Sequence, residues 1–225
     1  LASWIRRWVF RLLEINKPVI DLIPDFNDVN FIKPILQIIS TDETNTFGII
    51  EQRIVDFCAM LLHQDSKWRS RGLGDSVHSN NFSKRKLGDN DFQNAEEREI
   101  YAYEAHAGRL TQAYLDSHLR TLPRLVDRRI EELEGIAEID EWNAIIYFIA
   151  HSADEGISRH LSITGLQVEI KFLTYTNLIQ HTYTNKDIIL FNKLIVDVLN
   201  TKQTPNYVRE TFLQIIDSVV DLSPE

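Results

Sequence analysis

The 225-residue chain has the composition of a globular protein, 44% hydrophobic and 25% charged, and its net charge of −9 excludes coating of nucleic acid by bulk charge. The single cysteine, Cys58, excludes a disulfide framework and favours a reducing compartment, for which we expect the cytoplasm. No stretch reaches the roughly 18 uninterrupted apolar residues of a membrane span, so we expect no membrane partner.

Amphipathic helices are predicted at the start of the chain. Residues 4–14 repeat apolar side chains at spacings of one, three and four, and residues 28–40 contain Pro34, which predicts a helix that begins after a break. We assign residues 1–44 to an N-terminal helical segment. The only methionine is Met60, so we interpret the chain as trimmed at its start or as part of a longer polypeptide with further domains.

A third helix carries one apolar face up to His63, with Thr41, Asp42 and Thr44 as candidate N-caps. The polar, Gly- and Ser-rich stretch 64–90 that follows predicts a loop with one short strand near residues 76–82.

The spacing of the apolar side chains then changes from a helical period to alternation along the chain. Residues 91–94 and 99–106 are rich in aromatic and β-branched side chains, and a short polar connector between them predicts a hairpin. A helical period returns over residues 110–133, where Pro123 is expected to kink or divide the helix and Gly135 to close it.

Strands and helices alternate in the last third. The continuous apolar run 142–150 predicts a strand buried on both faces. A polar excursion at 151–165 leads to a second interior strand at 166–173. Two helices are expected to finish the chain, over 187–199 and from Thr204 onward.

This order of elements predicts an α/β fold in which helices flank a mixed central β-sheet. Residues 45–180 would form the core, and residues 181–225 would add C-terminal helices packed on it.

Three acids converge on the predicted hairpin. Asp89 and Asp91 lie two residues apart and so share a face if the strand reaches back that far, and Glu104 comes opposite them on the next strand. Cross-strand neighbours lie roughly 4.5–5.5 Å apart at Cβ, and two carboxylates that close repel each other unless a proton or a divalent cation lies between them. Such oxygen ligands suit Mg²⁺, which can activate water for attack on a phosphate. His106, two residues beyond Glu104, would face the same side.

The run Gly-Asp-Asn-Asp-Phe at 88–92, followed by Ile-Tyr-Ala-Tyr-Glu-Ala-His-Ala-Gly at 100–108, resembles the PD-(D/E)XK nucleases. The resemblance covers about residues 45–175 and implies the restriction-endonuclease-like fold, with an α-β-β-β-α-β core. In that family an acid at the start of the second strand and a (D/E)-x-K on the third bind Mg²⁺ and organise the attacking water.

Carried onto this sequence, the resemblance implies that Asp89, Asp91 and Glu104 bind metal and take part in catalysis. Glu51, on the first core helix, would add a further metal-binding carboxylate, and His106 would occupy the catalytic position that usually holds lysine. Histidine can donate a hydrogen bond or handle a proton but has no permanent charge at alkaline pH. Three alternatives stay open. The site cleaves with an imidazole in the lysine position, a lysine from another part of the chain enters the site, or the domain binds nucleic acid without cleaving it.

A rival motif lies later in the chain. Glu169-Ile170-Lys171 is a literal (D/E)-x-K with Asp154 upstream. It ranks second because it follows the long helix, where the last core strand of the family would fall.

A basic stretch precedes the hairpin. Residues 67–86 hold six basic side chains against the single acid Asp75, and in a nuclease they would contact nucleic-acid phosphates, although such runs are commonly solvated loops. The six are Lys67, Arg69, Arg71, Lys84, Arg85 and Lys86.

The resulting hypothesis is a nuclease that cleaves DNA phosphodiester bonds with Mg²⁺, or with Mn²⁺, in restriction or anti-phage defence. RNA as substrate and a homodimeric assembly stay open. The alternative is a catalytically inactive domain of the same fold that binds nucleic acid or mediates assembly.

Overall fold

The structure, a computed structural model, describes residues 2–15, 22–75, 81–185 and 187–221. Its helices are α1 (Ala2–Ile15), α2 (Val29–Thr41), α3 (Ile49–Leu62), α4 (Asn81–Lys84), α5 (Gln112–Glu134), α6 (Tyr175–Asn185), α7 (Ile188–Leu199) and α8 (Asn206–Asp221). Its strands are β1 (Trp68–Arg71), β2 (Asn90–Asn94), β3 (Glu99–Ala105), β4 (Arg109–Leu110), β5 (Asn143–Ala150), β6 (Ser152–Ala153), β7 (Arg159–Ile163) and β8 (Leu166–Thr174).

The described strands form a six-stranded mixed sheet in the order β1-β2-β3-β5-β8-β7. Strand β2 runs antiparallel to both β1 and β3. After the long helix α5 the chain returns on β5, which lies parallel to β3. Strand β8 pairs parallel with β5 and antiparallel with β7 at the outer edge. Strands β4 and β6 form a separate two-stranded parallel pair.

Side-chain caps begin three of the helices. Asp28 accepts a hydrogen bond from the Asn30 amide at 2.9 Å at the start of α2, and Thr111 accepts one from the Tyr114 amide at 3.3 Å at the start of α5. Asp187 does the same for α7. These bonds satisfy amides that have no partner within the helix, and such a cap is typically worth about 1 kcal/mol.

Two apolar clusters lie on opposite faces of the sheet. One contains buried residues of α2, α3, α6, α7 and α8 together with Phe92 and Tyr103. The other contains the buried face of α5 together with Ile100, Ala102 and Trp142. We call these sides the α3 face and the α5 face. The alternation of β3 therefore sends Tyr101 and Tyr103 to one face and Ala102 to the other.

The predicted fold class is confirmed. The hairpin, the long helix closed by Gly135, the two interior strands and the terminal helices α7 and α8 occur close to their predicted positions. Helix α5 runs unbroken through Pro123.

Local predictions need correction at the N-terminal side. Helix α2 begins at Val29, after the non-helical residues 22–28, and continues through Pro34. Helix α3 has Gly48, with φ of 78°, as its N-cap, and Thr44 binds a side chain of the helix instead.

Several elements were not predicted. The stretch 64–90 contains β1, and the excursion 151–165 contains β6 and β7. Helix α6 also lies outside the predictions. Of the strand expected near residues 76–82, residues 76–80 lie outside the described part of the chain, and Asn81 and Phe82 belong to helix α4.

Within the described ranges, no helix combines the length and the apolar character needed to cross a bilayer.

Candidate functional site

The hairpin brings Asp89 and Glu104 to the same end of the sheet. Asn90 pairs with Tyr103 in the β2–β3 register, so Asp89, one residue before the strand, lies opposite Glu104. The Asp89 amide donates to the Tyr103 carbonyl at 2.8 Å, and the Ala105 amide donates to Asp89 Oδ2 at 2.9 Å. The adjacency expected from the sequence is therefore present for this pair of acids.

Glu104 lies on the α5 face, in register with Ala102, and only 6% of its surface is exposed. His118, on the first half of α5, places Nδ1 3.4 Å from Glu104 Oε1. Asn81 donates a side-chain hydrogen bond to the same carboxylate. Glu104 is thus held between the sheet, α5 and the short helix α4.

The two carboxyl groups disfavour each other's ionisation. Burial raises the pKa of Glu104 well above its ordinary value, and the neighbouring Asp89 charge raises it further. Burial likewise raises the pKa of Asp89, although the Ala105 amide and the cations of Lys86 and Arg53 oppose that shift. A buried acid pair of this kind favours a shared proton or a bound cation.

Lys86 supplies a buried ammonium group beside the pair. The residue is 1% exposed, and its Nζ donates to the Asp89 carbonyl at 2.7 Å and to Asp75 Oδ2 at 3.0 Å. Its charge lowers the pKa of both Asp89 and Glu104. The sequence indicated Lys86 only as one cation of a basic stretch, because its position beside the acids depends on the path of the loop before β2.

Three rings extend the site along the start of α5. The centroid of His106 lies 4.1 Å from that of Tyr114, which lies 4.5 Å from that of His118. Burial is the main cause that lowers the pKa of both histidines, so both are neutral at pH 7. Burial and the charges of Glu104 and Asp89 raise the pKa of Tyr114.

Hydrogen bonding fixes the tautomer of His106. Its Nε2 lies 3.1 Å from the Arg109 carbonyl oxygen, which can only accept, so Nε2 carries the hydrogen and Nδ1 of the neutral ring holds a lone pair. His151 orders the adjoining turn, because its Nδ1 accepts from the Gly108 amide and its Nε2 donates to the Ile39 carbonyl, each at 3.1 Å.

Asp56 on α3 is a further acid that the sequence analysis did not identify. It is 1% exposed and accepts hydrogen bonds from Arg53 at 2.6 Å and from Asn90 at 2.9 Å. Burial raises its pKa to about 6, and the Asp89 charge adds to that shift. Its only sequence signal is a carboxylate in the middle of α3, and a solvent-facing residue would give the same signal.

Asp91 has different partners from Asp89. Its carboxylate lies 3.1 Å from Nη1 of the fully buried Arg129 on α5 and accepts from the Leu87 amide at 3.0 Å. Arg71 lies 3.5 Å from its other oxygen. The predicted metal ligand Asp91 is thus engaged in a buried ion-pair network that joins β2 to α5.

Glu51 is also engaged elsewhere. Its Oε1 accepts from the amide and the hydroxyl of Thr44, at 2.8 and 2.9 Å, and its Oε2 accepts from the Thr46 hydroxyl at 3.3 Å. These bonds fold the α2–α3 connection onto the first turn of α3.

The rival motif is split between two places. Glu169 and Lys171 form an ion pair of 2.8 Å on β8, in register with Ile145 and Tyr147, and so lie on the α3 face. Asp154 instead accepts from Arg109 and from the Gln112 amide at the start of α5. The structure therefore does not assemble these residues as it assembles Asp89 and Glu104.

Most of the predicted phosphate-contacting cations are paired with acids. Lys67 lies 2.6 Å from Glu97, and Lys84 lies 3.8 Å from Asp75. Arg69 and Arg71 both contact Glu132 of α5. Lys86 is buried, as described above, and Arg85 is exposed at a left-handed turn with φ of 56°. The positive charge of this segment is therefore largely offset by neighbouring carboxylates.

In the described ranges, no group of three or more His, Cys, Asp or Glu side chains is arranged to hold a metal ion. The site consists of two carboxylates, an ammonium group and two neutral imidazoles. Comparisons with protein-family models, with curated proteins and with solved structures return no match.

Proposed function

We propose that the chain is a metal-dependent nuclease in which Asp89 and Glu104 hold Mg²⁺, with Mn²⁺ as a substitute, and DNA is the substrate. The observation that carries the proposal is the acid pair itself: two carboxyl groups, one just before β2 and one on β3, both with raised pKa, at the end of a sheet. Apart from the short elements α4 and β4, the order α3, β1–β3, α5, β5 also follows the α-β-β-β-α-β sequence of the PD-(D/E)XK resemblance.

The donor set fits magnesium. Mg²⁺ keeps several of its waters and is commonly bound by one or two protein carboxylates, so a third protein ligand is not required. Bound there, the ion would lower the pKa of a coordinated water and offset charge on a phosphate.

The remaining side chains have separate roles in this proposal. Lys86 places its ammonium group beside the acids and so takes the place of the lysine that the His106 position lacks. Neutral His106 keeps Nδ1 free of a hydrogen and can accept a proton from water. His118, in contact with Glu104 Oε1, fixes the orientation of that carboxylate.

The test is cleavage of supercoiled plasmid by the purified chain in Mg²⁺ and in EDTA. We expect Mg²⁺-dependent nicking that Glu104→Gln reduces at least 100-fold, because the variant loses one of two metal-binding charges. Glu169→Gln, the same change in the rival motif, is the matched control and should retain activity. Equal activity of Glu104→Gln and the unmodified chain would refute the assignment, and loss only in Glu169→Gln would move the site to β8.

A second candidate is a non-cleaving domain of the same fold that binds nucleic acid or mediates assembly. The pairing of Lys67, Arg69 and Arg71 with acids weakens the surface expected to grip a phosphate backbone, and so favours the assembly role over nucleic-acid binding. Calorimetric titration with Mg²⁺ and with Mn²⁺ separates the two, because the nuclease requires saturable binding that Glu104→Gln abolishes.

A further inference from the structure

A pocket of about 580 Å³ opens on the α3 face of the sheet, whereas Glu104 lies on the α5 face. We call it the aromatic pocket. It lies between the end of α3, helix α6 and strands β1, β3 and β5, and its volume is within the range of roughly 300–1,000 Å³ typical of small-molecule sites. Its ring-bearing residues are His63, Trp68, Tyr101, Tyr103, Tyr147 and His181.

The rings are ordered against one another. Tyr147 stacks on Tyr103 with centroids 5.4 Å apart and planes at 19°, and on Tyr101 at 6.4 Å and 12°. His63 contacts Trp68 with centroids 4.5 Å apart and hydrogen-bonds the Tyr103 hydroxyl at 2.8 Å. Aromatic faces carry negative electrostatic potential, so walls of this kind attract cations.

The charges of the pocket favour a cation as well. Glu97 and Glu99 are part of its lining. Burial lowers the pKa of His63 to about 4, so this ring is neutral at pH 7 and adds no competing positive charge. Lys171, beside Tyr147 in the β5–β8 register, is paired with Glu169 at 2.8 Å.

An ammonium group of the chain itself already occupies the rim. Lys67 Nζ lies 5.8 Å from the centroid of the Trp68 ring and 2.6 Å from Glu97 Oε1. The combination of ring face and carboxylate therefore binds a cation within the structure. Lys67 is on the exposed surface, so its side chain can move away when a ligand competes for these groups.

We propose that the aromatic pocket binds a monovalent organic cation with a flat apolar body, such as a quaternary or aromatic amine. The rings and Glu99 would contact the charged group, and the apolar body would pack on Leu62, Leu173 and Leu178, which also line the cavity. A phosphate-bearing ligand is disfavoured, because two carboxylates line the same space.

The test uses isothermal titration of the full chain with benzyltrimethylammonium, with benzyl alcohol as the neutral probe and phenyl phosphate as the anionic probe. We expect saturable binding of the ammonium probe, at least about tenfold tighter than that of benzyl alcohol. Phenyl phosphate should not bind. Equal or tighter binding of either comparison probe would overturn the proposal.

Three variants locate the binding. Tyr147→Leu keeps apolar volume but removes a ring face, and should weaken the ammonium probe about tenfold. Glu99→Gln should weaken it about fivefold, and Lys67→Met should tighten it, because the internal competitor is lost. Tyr207→Leu, at a half-exposed tyrosine of α8, is the matched control and should bind as the unmodified chain does.

Circular dichroism and thermal midpoints establish that each variant is folded. Should Tyr147→Leu fail to fold, Glu99→Gln and Lys67→Met still decide the outcome, since both change groups at the rim. Unchanged affinity in both would overturn the proposal.

Discussion

Glu104 lies where a charge is costly, and its neighbour Asp89 adds to the cost. Because its pKa in the folded chain is raised, the carboxyl destabilises the fold as pH rises above the ordinary glutamate value. We expect Glu104→Gln to raise the free energy of unfolding by about 1 kcal/mol at pH 8 in EDTA, with the gain shrinking toward pH 5. Urea unfolding at both pH values measures this.

The same measurement in Mg²⁺ links stability to metal binding. The unmodified chain should gain stability from the ion, because a ligand that binds only the folded state stabilises it, and Glu104→Gln should gain none. A gain of similar size in both would contradict a site at this pair.

His63 gives the opposite dependence on pH. Burial lowers its pKa to about 4 in the folded chain, whereas the unfolded histidine keeps a value of about 6.5. Below pH 6.5 the unfolded state therefore binds more protons, and stability contributed by the neutral ring is lost as pH falls toward 4.

We expect His63 to account for a loss of roughly 1 kcal/mol in the free energy of unfolding between pH 7 and pH 5. This is less than the full pKa shift would give, because the side chain keeps some contact with solvent. His63→Gln retains a polar group for the Tyr103 hydroxyl but does not titrate. Urea unfolding of both forms at the two pH values should show a smaller pH effect in the variant, and parallel losses would refute this origin.

At the scale of elements, α5 is attached to the hairpin by an ion pair that is shielded from water. Arg129 Nη1 contacts both oxygens of Asp91, at 3.1 and 3.2 Å, and Nη2 donates to Gln93 at 2.7 Å. Removing one partner of a buried pair leaves an uncompensated charge, which typically costs 3–5 kcal/mol.

Arg129→Met should therefore lower the free energy of unfolding by up to about 3–5 kcal/mol, an upper bound because Arg71 stays 3.5 Å from Asp91. Adding Asp91→Asn, which keeps an acceptor for the Leu87 amide, should restore part of that loss because no buried charge remains alone. Denaturant unfolding of the single and double variants gives the coupling energy. Additive losses would mean that the two residues act independently.

The elements that the sequence predicts well carry their own pattern. Strand β3 alternates between two buried faces, and its aromatic side chains and polar connector identify the hairpin without knowledge of the rest of the chain. Strand β7, by contrast, reads Arg-His-Leu-Ser-Ile and pairs on one side only, so it needs little apolar character.

The residues of the candidate site also differ in how far the sequence predicts their positions. The proximity of Asp89 and Glu104 follows from hairpin pairing, which is local. The placement of Lys86 and His118 beside them depends on a loop path and on the packing of α5, which no short pattern encodes. Likewise, Asp91 has the right spacing for a ligand, and only the position of Arg129 reveals its buried ion pair.

At the scale of the whole molecule, the helices contribute unequally to the core. The side chains of residues 2–9 on α1 are exposed, including Trp4 at 65% and Trp8 at 54%. On α8, by contrast, Val208 and Phe212 are buried in the cluster on the α3 face.

Deleting residues 1–9 should change the free energy of unfolding by less than about 0.5 kcal/mol, because the side chains of residues 2–9 are already exposed and little apolar surface returns to water. Deleting residues 206–225 is the comparison and should prevent stable folding, since each buried side chain contributes about 1.5–3 kcal/mol of a typical total of about 5–15 kcal/mol. Urea unfolding measures both, and a loss above about 2 kcal/mol for the first deletion would contradict this division.

The two outermost strands of the sheet also bear on how copies of this chain meet. Strand β1 has four residues, of which the second and fourth are Arg69 and Arg71. Strand β7 has five residues and begins with Arg159 and His160. Short borders offer few free amides and carbonyls to another chain. Self-association through a continuous intermolecular sheet is thereby discouraged, and we expect any dimer to form through the helical layers.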